Sequence, residues 1–155
     1  MREAQMQALK LPHTGMAVTL DIGNPQNIHP ANKQDVGARL ARWALNRDYN
    51  RDVYVSGPLY QNMTLRDDKI VCSFDYVDGG LKLTADPQTH FEIAGADSVF
   101  RPAEVEINGN FLVVSHPDID TPLAARYAWD NTSDAILFNE KGLPASSFRT
   151  DDWPR

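Results

Sequence analysis

The sequence predicts an α+β chain: a mainly antiparallel, β-sandwich-like module preceded by a strand-loop-helix unit. Three observations predict it. Apolar residues recur at Val36, Leu40, Trp43 and Ala44, the i, i+4, i+7, i+8 stripe of an amphipathic helix. Further on the period becomes two, with Ile70, Cys72, Phe74 and Tyr76 alternating with Lys69, Val71, Ser73 and Asp75. Beyond that, turn signals separate short apolar runs at intervals of about ten residues, the rhythm of an antiparallel sandwich or jelly roll. The change of texture near Tyr49 to Asp52 divides the chain into residues 1–50 and 51–155.

Within the first part, Gly15 to Leu20 is a short apolar run bounded by Pro12 and by Gly23, Asn24 and Pro25, which suits a buried strand. A polar loop, Gly23 to Pro30, then leads into the helix, whose first turn would accept Pro30. Lys33, Asp35, Arg39, Arg42 and Asn46 fall mainly on the face opposite the apolar stripe, and the late arginines suit the negative end of the helix dipole. In the second part, Asp78-Gly79-Gly80 turns the chain towards Leu81-Lys82-Leu83. Ala103, Val105 and Ile107 alternate with Glu104 and Glu106 before Asn108-Gly109-Asn110 and Phe111 to Val114, a hairpin signal because its turn residues must tolerate positive φ. Phe91 to Ile93 and Leu123 to Tyr127 are further strands. A parallel-type strand at Gly15 to Leu20 finds no partner within the first fifty residues. The reading therefore expects self-association, pairing onto the β module or a rearranged N-terminus.

The chain has 155 residues, with 15 Lys plus Arg against 21 Asp plus Glu, a net charge of −6. That balance, with no cationic patch, excludes a nucleic-acid or anionic-membrane partner, and 42% hydrophobic residues can fill a core. No apolar run approaches the ~18 residues of a membrane span, and Met1 to Gln5 lacks an apolar signal-peptide core. The single cysteine, Cys72, sits in an alternating apolar run and reads as a core residue.

The histidines, His13, His29, His90 and His116, lack zinc-ligand spacing, and neither a phosphate-binding glycine loop nor Gly-x-Ser-x-Gly occurs, so no metal and no cofactor are expected. His29 stands apart by its setting: it ends the polar loop between strand and helix, in Asp21-Ile22-Gly23-Asn24-Pro25-Gln26-Asn27-Ile28-His29-Pro30. Such a loop places an imidazole accurately enough for acid/base work, although capping or loop packing would also employ it. Asp21 is ordinarily a strand-end carboxylate.

Leu11 to Gly23, followed by Asn27-Ile28-His29-Pro30-Ala31-Asn32-Lys33-Gln34-Asp35-Val36-Gly37, resembles the late part of the catalytic domain of the sialate O-acetylesterases, carbohydrate esterases of the SGNH hydrolase superfamily. The resemblance continues through Ser56-Gly57-Pro58-Leu59-Tyr60, Phe91 to Asp97, Ala125 to Trp129 and Gly142 to Asp151, so it covers nearly the whole chain. It implies a metal-free serine enzyme that removes acetyl esters from sugar hydroxyls, typically of sialic acid, with the Ile-His-Pro histidine, His29 here, as general base. It implies that residues 1–50 are the closing strand-loop-helix of an SGNH catalytic domain and residues 51–155 a β-rich module behind it. A secreted or periplasmic parent is compatible with the family, while the sequence itself does not give the compartment.

Two departures qualify the match. Where the family commonly has an acid before Ile-His-Pro this chain has Asn27, and the superfamily's Asp-x-x-His spacing falls on Gln26; neither amide is the anion that fixes a histidine tautomer. Asp21 is the nearest upstream acid, and a backbone carbonyl is the alternative orienter. The family's Gly-Gln-Ser-Asn-like nucleophile block and its oxyanion-hole blocks are also absent. The expectation is a C-terminal portion of an esterase, inactive alone, that pairs with missing sequence or another copy to act on an O-acetylated sugar. The competing reading is a structural or glycan-binding module, with Tyr54, Tyr60, Tyr76, Tyr127, Trp129 and Trp153 as stacking faces or as core. Asn62-Met63-Thr64 and Asn131-Thr132-Ser133 match the glycosylation acceptor pattern, which matters only in a eukaryotic secretory pathway.

Overall fold

A computed structural model describes residues 1–154. The chain begins with a short helix α1, Arg2–Gln7, prolonged by a 3-10 turn, Ala8–Lys10, and carries a longer helix α2, Gln34–Arg47. The rest is antiparallel β-structure, which makes the fold α+β. One four-stranded sheet has the order β1 (Leu59–Arg66), β2 (Lys69–Asp75), β7 (Phe111–Ser115), β6 (Glu104–Asn108). A second has the order β10 (Phe148–Arg149), β8 (Ala124–Tyr127), β4 (Phe91–Ala94), β5 (Arg101–Pro102). A two-stranded ribbon pairs β3 (Leu81–Leu83) with β9 (Leu137–Asn139).

The period-two reading holds because each alternating set buries one face. Ile70, Cys72 and Phe74 are buried while their neighbours Lys69 and Asp75 stay exposed, and Leu112 and Val114 do the same on β7. These side chains meet Phe91, Ile93, Tyr127 and Phe148 of the second sheet in a single cluster. Phe74 meets Phe148 edge-on with centroids 5.3 Å apart, and Phe91 stacks on Tyr127 at 4.6 Å. Truncating any one of these aromatics would cost about 3–5 kcal/mol. The buried Tyr127 hydroxyl accepts the N–H groups of Ile136 and Leu137, at 2.9 and 3.0 Å, so its polar end is satisfied and fixes the entry to β9.

Several expectations require correction. The β6–β7 hairpin forms, but its register pairs Asn108 with Phe111, so Gly109 and Asn110 are the turn residues and only Gly109 takes positive φ (60°). Gly79 and Gly80 do turn the chain, with φ of 86° and 117°, yet β3 pairs with the distant β9. Strand β1 was not foreseen: most of its side chains are exposed, which erases the alternation, and its turn to β2 is Asp67-Asp68 with Asp67 at φ 54°. The short helix α1 buries no side chain and has no periodic signature. Helix α2 starts four residues after Pro30. The side chain of Asn32 caps it by accepting the Asp35 N–H at 3.1 Å and donating to the Asp35 carboxylate at 2.7 Å.

The largest correction concerns Gly15 to Leu20, which belongs to no sheet and whose Leu20 already lies in a turn closed by the Ile22 N–H on the Thr19 carbonyl. Its carbonyls are taken by side chains of α2 instead. Arg39 donates to Val18 at 2.5 Å, the Trp43 indole to Met16 at 2.9 Å, and Arg47 to Thr14. The match is metric: donors four apart on a helix are spaced ~6 Å, and carbonyls two apart on an extended chain ~6.6 Å. Arg39 therefore faces this segment and not solvent. Gly15 permits the approach, since a Cβ there would lie 2.5 Å from Cγ of Trp43.

Candidate functional site

The polar loop between the extended segment and α2 carries His29, and both ends of the loop are anchored. At its start, Asp21 binds Arg39 through two hydrogen bonds of 2.6 Å, with only 18% and 12% of the two side chains exposed. The planar guanidinium matches the carboxylate fork, so this one pair fixes both a position and a direction. At its end stands the Asn32 cap of α2. Between them the chain bends locally: Asn24 accepts the Gln26 N–H at 2.9 Å, and Asn27 accepts the His29 N–H at 2.9 Å.

His29 is exposed, beside an Ile28 that is 90% exposed. Asn27, which stands where an acid was expected, ties down the backbone of His29 and not its ring. Both oxygens of Asp21 are engaged by Arg39, and no hydrogen bond joins His29 to Asp21 or to a serine among the described residues. What the arrangement supplies is an imidazole on a tethered, solvent-facing loop, open to a group brought from outside. Arg39, whose contribution sequence reasoning missed, is legible only in that it stands four residues before Trp43 and eight before Arg47, on the same face of the helix.

The first half of the loop borders a cavity of about 260 Å³ between Thr19, Leu20, Gly23 and the turn Asn131 to Asp134; His29 does not line it. That turn is organised by Asp130, whose carboxylate accepts from the backbone and hydroxyl of Thr132 and of Ser133. Partial burial works against its ionisation, but these hydrogen bonds outweigh it and hold the carboxyl down at about 2. Arg2 donates to the carbonyls of Ala128 and Asp130 and closes the cavity from the α1 side.

Other side chains sort by burial. Cys72 lies in the core with its thiol pushed up to about 12 by burial, and Tyr127 is fully buried. Arg126 and Arg149 both lie over the Trp129 ring, and Trp153 packs on Phe100. Tyr60 and Tyr76 are half-buried and line a second groove. Among the described residues no cluster of three or more His, Cys, Asp or Glu could hold a metal ion, and no helix is long and apolar enough to cross a membrane.

No family model and no curated protein matches the chain. Among solved structures, it is similar to a carbohydrate acetylesterase from Xanthomonas citri, with 42% identity and a TM-score of 0.90 over 97% of this chain. The match takes in 35% of that protein, so the chain spans about a third of its length and shares the fold of that portion.

Proposed function

We propose that this chain is the C-terminal portion of a carbohydrate O-acetylesterase of the SGNH type, acting on O-acetylated sugars such as sialic acid. The observation that carries the reading is the 42% identity, over nearly the whole of this chain, to part of a carbohydrate acetylesterase. In this reading residues 1–50 close the catalytic domain and residues 51–155 form a sandwich-like module behind it. His29 is the general base. Its imidazole takes the proton from a serine hydroxyl supplied by sequence outside these 155 residues as the serine oxygen attacks the acetyl carbonyl, then returns that proton to the departing sugar oxygen. Water, deprotonated by the same imidazole, attacks the acetyl-serine carbonyl, and the imidazolium returns the proton to the departing serine oxygen as acetate is released. Asp21 is a positioning residue: held by Arg39, it anchors the loop that presents His29.

The test is replacement of His29 by Ala in a protein that contains both this chain and the serine block. Loss of the base is expected to lower kcat by about 10²–10⁴ with the melting temperature unchanged, because the side chain is exposed. Full activity after that change refutes the reading. Asp21→Asn is expected to act more weakly, and together with a measurable loss of stability.

A further inference from the structure

We infer that the groove walled by α1 with its 3-10 turn, by α2 and by the β1–β2 edge of the first sheet is a non-catalytic binding site for a pyranose sugar. It encloses about 580 Å³, within the ~300–1,000 Å³ range of small-molecule sites, and its lining includes Tyr60, Tyr76, Gln61, Asp75 and Arg149. Such a sugar needs two kinds of surface: a flat apolar face against its ring hydrogens, and planar polar groups for its ring of hydroxyls. The groove offers both.

The backbone at Tyr76 is the observation that distinguishes this groove from an ordinary crevice. Tyr76 follows Phe74 in the alternation and would turn its ring into the core if the strand simply continued. Instead it sits at φ 59°, a conformation a tyrosine rarely adopts. Its carbonyl is held there by the buried Asn139 amide at 2.9 Å, and its half-buried ring meets the edge of Trp43 at 5.7 Å and lines the groove. Tyr60 is the second aromatic, stacked on Phe148 at 5.0 Å, nearly parallel at 8°. At the rim, Gln61 donates to Asp75, and Arg149 is fixed by Glu3 at 2.7 Å and by the Trp153 carbonyl at 3.0 Å. An amide, a carboxylate and a guanidinium, each held in place, form the donor and acceptor set that vicinal hydroxyls require.

The experiment titrates the 155-residue chain with methyl β-galactopyranoside, methyl β-glucopyranoside and the α-methyl glycoside of N-acetylneuraminic acid, read by tryptophan fluorescence and by NMR shift perturbation. At least one glycoside should bind saturably, with shifts centred on Trp43, Tyr60 and Tyr76. Tyr76→Gly removes the ring while relieving the backbone, so it should fold and weaken binding about tenfold; Gln61→Ala, at an exposed position, should weaken it without changing stability. Binding of none of the three glycosides overturns the inference, as does binding that survives Tyr76→Gly undiminished. Neither result touches His29, so failure here is distinguishable from failure of the esterase reading.

Discussion

Asn139→Ala removes four hydrogen bonds from one buried side chain. The amide nitrogen donates to the Ser56 and Tyr76 carbonyls at 3.1 and 2.9 Å, and the oxygen accepts the Lys141 and Leu143 N–H groups at 3.1 Å each. With 1% of the residue exposed, water cannot replace them. At ~1 kcal/mol per bond the loss is about 4 kcal/mol. Release of Tyr76 from its left-handed backbone returns about 1 kcal/mol, which leaves roughly 3 kcal/mol. For a domain of this size that lowers the melting temperature by roughly 6–12 °C. Urea unfolding followed by tryptophan fluorescence should show the lower midpoint at unchanged slope. Adding Tyr76→Gly to the variant should cost about 1 kcal/mol more than the separate effects sum to, because each single change relieves the strained Tyr76 backbone and the double variant can relieve it only once. A loss under about 1 kcal/mol would refute the reasoning, since it would mean that the freed backbone groups find other partners.

Three further outcomes are expected. Cys72 should resist a thiol reagent in the native protein and react fully in urea, because burial keeps it a thiol with its acidity pushed up to about 12; rapid native labelling would contradict the core assignment. The folded pKa of Asp130 lies below its ordinary value of 3.8, at about 2, so its contribution to stability is complete above the unfolded value and is lost as pH falls from about 4 to about 2. Melting curves of Asp130→Asn should be flatter across that window than those of the unaltered chain. Gly57→Ala would place a Cβ 2.1 Å from the Pro144 carbonyl oxygen and 2.5 Å from that of Leu143; with backbone on the other side, the cost should exceed about 4 kcal/mol and abolish soluble expression.

The β-rich half was legible wherever one face of a strand is buried and the other wet. The strands at Lys69–Asp75 and Glu104–Asn108 wrote their burial into an alternation of residue types, and Phe111–Ser115 was read from its apolar run after the Asn-Gly turn. Strand β1 was not, because most of it faces solvent on both sides and nothing constrains its residues to alternate. The pairing of Leu81–Leu83 with Leu137–Asn139 was equally invisible, being a contact between residues more than fifty positions apart. In the candidate site, the loop and His29 could be read from turn residues leading into a helix, although the strand expected before the loop does not form, and Asn27 and Gln26 could be seen to be neutral.

What the sequence by itself determined is the α+β class, the helix, most of the strands and the loop that bears His29, because periodicity and turn chemistry act over a few residues. Only the tertiary structure decided what the apolar segment Gly15 to Leu20 does. An unpaired extended chain must satisfy its carbonyls somewhere, and three donors spaced four apart on α2 happen to match that need in length and direction. It decided in the same way that Asp21 belongs to Arg39, and that Tyr76 leaves the core for a groove. Each depends on two groups meeting across the fold, which no window of sequence contains.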